Sequence, residues 1–524
     1  MGRGERSIGT AGLRGLGGVL LAVVIVALAW PVPPNIPYRQ AWVVAAYLAS
    51  AGCLLAVVRW QGRLAGLRLT GFVRRHALAI SVLVTVTATT ACTVVALNLV
   101  YPFGWDAKFV NNLATRLAAG PYVPDQYYRY LSRYPNNVPF TLVATTAHRL
   151  AKAWSWDPAT VSVLFNGLGL LVTTQSVYAV VRTIRGPLAG LAAQLTVVVL
   201  VGLSPWLAVP YTDMAATPWP VLGTALAVAA LHSGSRRRAA LLALGAVAAV
   251  AVGFLLKTTP VLTLLAFLVV TALAGLSSVR SWRRLLAGAL AVAAGVAVFV
   301  AVVVAAAAVL PAAAGLDASR IDTSRAPPPS WWVVMGTSVK HGDTTRYGGY
   351  DRSLVVAIRD KDREQIDAYS KALLRHRLDR LGVGGYLRFA ATKTAWNWGD
   401  GMFWAWGEGR DARSVVPRHG PLTAWVVSWN HPSGDHYPLR MALTQAVWLL
   451  VLTVAGVGLL RCRYRRDVAV LAFSVLGIAL FTLLVQGRSR YLLVYVPVVV
   501  ALAFALPPFW RVSPGRSSSA ARSA

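Results

Sequence analysis

The sequence predicts an all-α, polytopic membrane protein of about twelve transmembrane helices, on three grounds. The 524 residues are 56% hydrophobic and only 13% charged, where an ordinary soluble chain carries roughly a quarter charged residues. Apolar runs of about 18 or more residues recur, each long enough to cross a hydrocarbon core about 30 Å thick as a helix. The runs lack the roughly 10-residue alternation of a β-barrel, and lipid offers an open backbone no hydrogen-bond partner, so helices are the expected form.

The first run, Val19 to Trp30, follows a basic leader with Arg3, Arg6 and Arg14. Its Ala27-Leu28-Ala29 has the small-x-small look of a cleavage site, and an uncleaved span is the expected reading. Ala41 to Val58 and Ala77 to Tyr101 follow, separated by a loop with Arg59, Arg63, Arg68, Arg74 and Arg75. Five arginines mark that loop as cytoplasmic and send Trp105 and Asp106 outside. Six further runs are Thr160 to Val181, Leu188 to Leu207, Thr217 to Leu231, Ala239 to Leu256, Val261 to Leu276 and Leu285 to Leu310. The last three are Met441 to Leu460, Val468 to Val485 and Tyr491 to Phe509.

The stretch Val138 to Lys152 is short and carries His148, Arg149 and Lys152. It is expected to lie in the interface as an amphipathic helix, because counting it as a span inverts every later charge cluster. With it set aside, Arg182 and Arg185, Arg236 to Arg238, Arg280 to Arg284 and Arg461 to Arg466 all fall inside, and both termini are cytoplasmic. Acidic residues then lie almost wholly outside, with Glu5 and Asp467 as the exceptions. Orientation follows positive charge, so this acidic asymmetry needs another cause, and function is the candidate.

Four units result. Residues 1–76 hold two helices and a cytoplasmic loop, and residues 77–310 a transmembrane module whose first outer loop is 102–159. Residues 311–440 form an α-rich extracytoplasmic segment between the ninth and tenth spans, and residues 441–524 three helices and a basic cytoplasmic tail. The long segment opens on Ala326-Pro327-Pro328-Pro329, followed by Trp331 and Trp332. A helix is expected from Lys361 to Leu381, stopped by Gly382, Gly384 and Gly385. The aromatic run Trp396, Trp398, Phe403, Trp404 and Trp406 suits an interface belt or the lining of a sugar or lipid site.

A net charge of +32 raises the possibility of a nucleic-acid partner. The cations, however, are short clusters between apolar runs, the pattern of membrane orientation, so the expected partner is the bilayer and not nucleic acid. Cys53, Cys92 and Cys462 form neither a disulfide framework nor a zinc spacing. The high Ala, Arg and Val content suits a GC-rich bacterial genome, an actinobacterial one, and hence a bacterial plasma membrane.

Candidate chemistry gathers at the outer ends of spans. The first outer loop carries Gly104-Trp105-Asp106-Ala107-Lys108 and later Arg133-Tyr134-Pro135-Asn136-Asn137. Asp106 suits a general base that takes a proton from an acceptor hydroxyl, or equally a helix N-cap. Pro210-Tyr211-Thr212-Asp213-Met214 forms a second outer turn with the same two readings. Lys257-Thr258-Thr259-Pro260 and Gln486-Gly487-Arg488-Ser489-Arg490-Tyr491 place cations against the orientation bias. A phosphate explains them, through the guanidinium fork and the compact ammonium, and snorkelling to lipid headgroups is the alternative.

These motifs resemble the GT-C superfamily, and within it the bacterial membrane glycosyltransferases related to protein O-mannosyltransferases and aminoarabinose transferases. Asp106 falls at the first-loop carboxylate of that family, and Tyr134, Pro135, Asn136 and Asn137 match a Tyr-Pro-Asn-Asn run. Tyr211, Thr212 and Asp213 resemble its second-loop Tyr-(Ser/Thr)-Asp, and Lys257 its Lys-Pro-Thr-type turn, from which Thr258 and Thr259 depart. Met335-Gly336, Gly349-Tyr350-Asp351, Lys393 and Asp400-Gly401 resemble recurrent positions of the large loop, and Arg488, Arg490 and Tyr491 an Arg-x-Arg-Tyr near the donor phosphate.

The resemblance implies inverting sugar transfer from a polyprenyl-phosphate-linked donor to an extracytoplasmic acceptor, which is a cell-envelope glycan, a glycolipid or a protein. Asp106 is the implied base and Lys257, Arg488, Arg490 and Tyr491 the donor-phosphate site. Trp105, Lys108, Tyr134, Asn136, Asn137, Tyr211, Asp213, Asp351, Lys393 and Asp400 are the implied substrate contacts. Some relatives bind a divalent cation near the first outer loop, which stays open here, although Ala107 stands where the mannosyltransferases carry a Glu and no residue spacing suits a metal. A transporter or lipid flippase is the alternative function, but transporters place ionisable residues near the midplane, and here they gather at the outer ends. A non-catalytic envelope scaffold is the third reading.

Overall fold

A computed structural model describes residues 3–60, 68–99, 103–276, 282–342, 344–407 and 420–506. Among them, nine helices are long and apolar enough to cross a membrane. These are Ser7–Ala29, Gln40–Arg59, Ala77–Leu97, Pro158–Arg185, Thr212–Leu231, Arg236–Leu256, Leu285–Ala314, Tyr437–Arg461 and Arg466–Leu484. The chain is thus an all-α polytopic membrane protein. Three of the expected spans appear as shorter apolar helices, Pro187–Gly202, Val261–Ala274 and Val496–Ala505. Pro187–Gly202 ends in a π-helical turn at Val198–Gly202, and Val496–Ala505 starts late because Arg490–Leu493 forms a separate short helix ahead of Pro497. The expected span ends at Tyr101 and Phe509, the loop arginine Arg63 and the cluster residue Arg280 lie outside the described residues.

The first helix runs Arg3–Ala29, so it begins well before the expected Val19 and takes in the basic leader. It packs along Tyr437–Arg461, and the contact is backbone to backbone. A Cβ on Gly17 would meet the Gly456 carbonyl at 2.8 Å, and one on Gly456 the Gly17 carbonyl at 3.0 Å. In lipid, where apolar side chains gain little by meeting each other, such small-residue contacts supply the packing. Polar ties add to it: Gln194 donates to the Ser81 carbonyl and Thr85, and Ser81 and Thr85 donate to Gln175. Together they join Ala77–Leu97, Pro158–Arg185 and Pro187–Val197.

Val496–Ala505 is apolar all round and nearly every residue in it is buried. A helix without a polar face belongs at the centre of a bundle, and this one packs against Pro158–Arg185, Pro187–Val197, Tyr437–Arg461 and Arg466–Leu484. Gln40–Arg59 and Leu285–Ala314 are the opposite case, apolar yet almost entirely unburied within the chain. Those faces are what a bilayer covers.

The stretch between Val138 and Lys152 is the helix Val138–Trp154. Val138, Thr141, Ala144, Thr145, His148 and Ala151 are buried, the spacing of a single face, which packs on Trp105–Ala119, Pro158–Arg185 and Trp282–Ala314. It is not one of the helices long and apolar enough to span.

In the 311–440 segment the expected helix runs from Arg363 to a break at Gly382, φ 58°, and a second helix continues beyond it to Trp398. Gly382 is the expected stop, its backbone lying outside helical conformation, whereas Gly384 and Gly385 fall within the second helix. A capping box between Asp362 and Gln365 starts the first. The β-structure among the described residues is one ribbon pairing Val339 with Tyr347 and Lys340 with Arg346.

Backbone bonds fasten this segment to the bundle. Gln486 N–H donates to the Trp332 carbonyl and Gly487 N–H to the Gly348 carbonyl, both at 2.9 Å. Gly348 has φ 68°, and the Gly336 carbonyl and the Lys393 side chain leave no room for a Cβ there. Arg133 ties the first loop to the same segment, donating to the carbonyls of Arg325, Ile358 and Arg359 at 2.8–3.0 Å.

Candidate active site

A cavity of about 810 Å³ lies where the first loop, the 205–212 turn, Lys257, the 326–350 stretch and the 485–491 turn meet. Its size falls within the usual range for small-molecule sites. Asp106, Lys257, Arg488, Arg490 and Tyr491 all line it, together with Trp105, Tyr134, Asn136, Asn137 and Tyr211.

Asp106 is the second residue of helix Trp105–Ala119, whose N-cap position belongs to Gly104. The N-cap alternative is therefore not its role, although a carboxylate in the first turn is favoured by the helix dipole. Trp105 has φ 57°, an outlier for a bulky residue and a strain of about 1–3 kcal/mol. Its ring meets Tyr350 edge to face at 4.7 Å.

Four phenols surround the carboxylate. Tyr211 donates to Asp106 Oδ2 at 3.4 Å. Tyr130 accepts from Asn137 Nδ2 at 2.7 Å and stands near enough to Asp106 to feel its charge. Burial, and after it the Asp106 charge, raises Tyr130 and Tyr211 well above the ordinary phenol range. The same two causes push Tyr134 up to about 12 and raise Tyr350. All four therefore stay protonated at physiological pH, and Tyr211 is the one recorded as donating to the carboxylate.

The turn that carries Tyr211 is set by asparagines. Asn166 donates to the carbonyls of Leu207 and Val209 at 3.0 Å. Asn111 bridges Ala107 and Pro210 at 2.8 and 2.9 Å, joining the Asp106 helix to the residue before Tyr211.

Lys257 follows helix Arg236–Leu256 in extended conformation, its ammonium 4.6 Å from the Tyr491 ring centre. Arg490 lies over Trp206, Tyr211 and Tyr491, and Arg488 stands 5.3 Å from the Trp404 ring centre. The three side chains are 9%, 14% and 4% exposed for Lys257, Arg490 and Arg488. Snorkelling puts the charged head in the wet layer, and these heads are enclosed in the cavity wall.

Asp213 is fully buried and is not a lining residue. It pairs with Lys257 and stands 3.7 Å from Arg490 Nε, so it backs the cations and does not reach the cavity. Lys108 is exposed on its helix, away from the wall. Asp351 caps helix Arg352–Ala357 through Ser353.

Lys393 is buried and donates to the carbonyls of Gly336, Leu483 and Val485 at 2.8–2.9 Å. Burial draws its pKa down to about 7, and the three carbonyls pull the other way, since only the ammonium has three protons to donate. Asp400 accepts from Tyr38 Oη and Met402 N on Oδ1 and from Trp404 N and Ser489 Oγ on Oδ2. It organises a turn in which Phe403, Trp404 and Trp406 have positive φ, and whose Phe403 carbonyl accepts from Trp206 Nε1 at 2.7 Å. Lys393 and Asp400 shape the cavity from outside it.

Among the described residues, no cluster of His, Cys, Asp and Glu has the number to hold a metal ion. The donors around Asp106 are neutral phenols and the other charges of the cavity wall are cationic, a set that does not fit a divalent cation, which needs several anionic or carbonyl oxygens.

Asn111 belongs to the site and was not singled out from sequence, and Tyr350 was named there only within Gly349-Tyr350-Asp351, with no role of its own. Tyr127, Tyr130 and Tyr134 follow helical spacing, a signal that they share a face. Nothing in the sequence marks Asn111.

Over residues 34–507 the chain matches a protein family described as conserved hypothetical integral membrane protein. No curated protein and no solved structure matches it.

Proposed function

The chain belongs to this family of conserved hypothetical integral membrane proteins, and on that premise we propose that it is a GT-C-type glycosyltransferase of the bacterial plasma membrane. The proposed topology has twelve spans, cytoplasmic termini and the cavity on the extracytoplasmic face. The donor is a polyprenyl-phosphate-linked sugar and the acceptor a hydroxyl of an envelope glycan, glycolipid or protein.

The observation that carries this reading is that one carboxylate, Asp106, shares a single cavity with Lys257, Arg488 and Arg490. In the proposed step the acceptor oxygen forms a bond to the anomeric carbon as the bond from that carbon to the lipid phosphate breaks, with inversion. The hydroxyl proton passes to Asp106, and the bonding pair leaves with the phosphate. A phosphodiester carries one negative charge and the departing monoester carries two. Asp213 backs Lys257 and Arg490, and with Arg488 these cations leave the wall net positive, which favours the charge that grows on the phosphate in the transition state. The transporter reading is disfavoured because this constellation lies at one end of the bundle, where span ends meet loops.

The test is release of free polyprenyl phosphate from a labelled donor in proteoliposomes. Wild-type protein should release it in an acceptor-dependent way, and Asp106→Asn should lower the rate by about 10²–10⁴-fold with an unchanged melting transition. Movement of intact donor across the bilayer without release would overturn the assignment.

A further inference from the structure

Trp105 stands directly before Asp106 on the cavity wall, and 47% of it is exposed. Its backbone sits at φ 57°, a conformation that strains a bulky residue and that gathers at functional sites. Tryptophan also anchors proteins at the membrane interface, but an anchor needs only its ring at headgroup level and no strained backbone. Here Tyr350 of the outer segment also holds the ring, edge to face at 4.7 Å and 83°.

The cavity is open around Trp105 and closed around the cations. Asn136, also in the lining, is exposed, whereas Lys257, Arg488 and Arg490 are 14% exposed or less. Asp106 lies between the two. It follows Trp105 in the chain, and its Oδ2 accepts from Tyr211, whose ring centre is 5.9 Å from the Arg490 guanidinium. A molecule that reaches Asp106 from water therefore meets Trp105 first, with the phosphate-binding cations beyond.

The open end offers a broad aromatic surface on Trp105, with the phenols of Tyr134 and Tyr350 and the amide of Asn136 around it, groups that both donate and accept hydrogen bonds. A sugar ring has the matching surface, C–H groups on its face and hydroxyls at its edge. An extended peptide is matched instead by a free strand edge. Among the described residues the β-ribbon is formed by 339–340 and 346–347, and none of those four lines the cavity. We infer that the acceptor is the terminal sugar of a glycan or glycolipid, its ring laid on Trp105 and its reacting hydroxyl at Asp106. This rests on the reading of Asp106 as base and narrows the acceptor of that reading to carbohydrate. The sugar hydroxyl gives its proton to Asp106 and its oxygen to the anomeric carbon, and the lipid phosphate leaves with the bonding pair.

The experiment measures binding without donor, by saturation-transfer NMR and titration of full-length protein in nanodiscs. The probes are methyl glycosides of mannose, arabinose, glucose and galactose, their octyl glycosides, and a threonine-containing peptide. A glycoside should bind with saturation strongest on its ring C–H protons. Trp105→Ala should weaken that binding by about tenfold or more, as truncating a central aromatic anchor does, and Trp105→Tyr should retain most of it. Asn136→Ala, at an exposed position, should melt as wild type and weaken binding by about two- to tenfold, the size of one hydrogen bond. Equal binding of methyl and octyl forms identifies a glycan terminus, and binding that needs the octyl chain identifies a glycolipid.

Binding of the peptide alone, binding of no glycoside, or glycoside binding that Trp105→Ala leaves intact overturns the inference. Melting curves accompany each variant, and should Trp105→Ala fail to fold, unchanged affinity in Asn136→Ala overturns it instead. Release of polyprenyl phosphate is assayed with the same probes as acceptors. Glycoside binding at Trp105 without release keeps the sugar site and removes the transferase reading. Release driven by the peptide and not by glycosides keeps the transferase and removes this inference.

Discussion

Asp213 closes on Lys257 from behind the cavity wall, its carboxylate fully buried and its second oxygen 3.7 Å from Arg490 Nε. The two cations face the cavity and the acid does not. This arrangement fixes the cations in place, and it predicts an asymmetry between removing the acid and removing the pair.

Asp213→Asn leaves buried cations without that counter-charge. Breaking a buried pair on one side costs about 3–5 kcal/mol, whereas removing both partners is often close to neutral. The expected outcome is a large fall in melting temperature for Asp213→Asn, recovered in the Asp213→Asn/Lys257→Met double variant, with transfer lost in both. Melting in detergent and donor turnover measure the two quantities separately. An Asp213→Asn protein of wild-type stability would show that the pair does not stabilise the site.

Arg488→Lys keeps the charge and should still fail. Arg488 stacks over Trp404 at 5.3 Å, with Arg346 on the same ring at 5.5 Å, and a lysine lacks both the planar surface and the two-pronged donor geometry. A fall of about tenfold or more in kcat/KM for the donor is expected, corresponding to about 1.4 kcal/mol of lost transition-state stabilisation. Donor titrations of turnover by the two proteins check it.

The spans and the cation cluster were legible because each announces itself locally. A long apolar run needs no partner to be recognised, and a lysine or arginine at an outer span end contradicts the orientation bias wherever it sits. Lys257, Arg488 and Arg490 were found that way, and Asp106 as a carboxylate beside a tryptophan just after an apolar run. Asp213, Lys393 and Asp400 were assigned to substrate by the company they keep in sequence, and the fold gives them other partners. Lys393 answers to three backbone carbonyls, and a carbonyl has no residue type to read. Gly382 was legible as a stop because a glycine's conformational freedom is local, and the helix does break there, at φ 58°.

Lys393→Met tests the fastening that sequence could not show. The substitution keeps the length of the side chain and removes every donor, leaving the Gly336, Leu483 and Val485 carbonyls unsatisfied. Each unsatisfied buried acceptor costs about 1–3 kcal/mol, and part is recovered as the chain relaxes. The melting temperature should fall, and limited proteolysis should cut the 311–440 segment faster than in wild type, because its link to the end of Arg466–Leu484 is the one removed. Unchanged proteolysis with normal melting would refute the fastening role.

Asp400→Asn is the sharper test of how the cavity is shaped at a distance. Each oxygen of Asp400 accepts two bonds: Tyr38 Oη at 2.7 Å and Met402 N at 3.0 Å on one, Trp404 N at 2.8 Å and Ser489 Oγ at 2.5 Å on the other. An asparagine must put an NH₂ group against one of the two backbone N–H donors, Met402 or Trp404. A backbone donor cannot turn round to accept, so whichever way the amide sits one contact becomes repulsive. The turn it holds carries positive φ at Phe403, Trp404 and Trp406, strain of about 1–3 kcal/mol each that persists only while the surroundings enforce it. Relaxation of that turn withdraws the carbonyl that fixes Trp206 and the ring beneath Arg488, two residues of the cavity wall. The expected result is a protein that still inserts, melts at lower temperature, and loses donor affinity more than it loses turnover at saturating donor. Asp400→Glu should not rescue it, since an added methylene cannot keep all four donors within reach. A variant with wild-type KM for the donor would show that the turn shapes the fold without shaping the site.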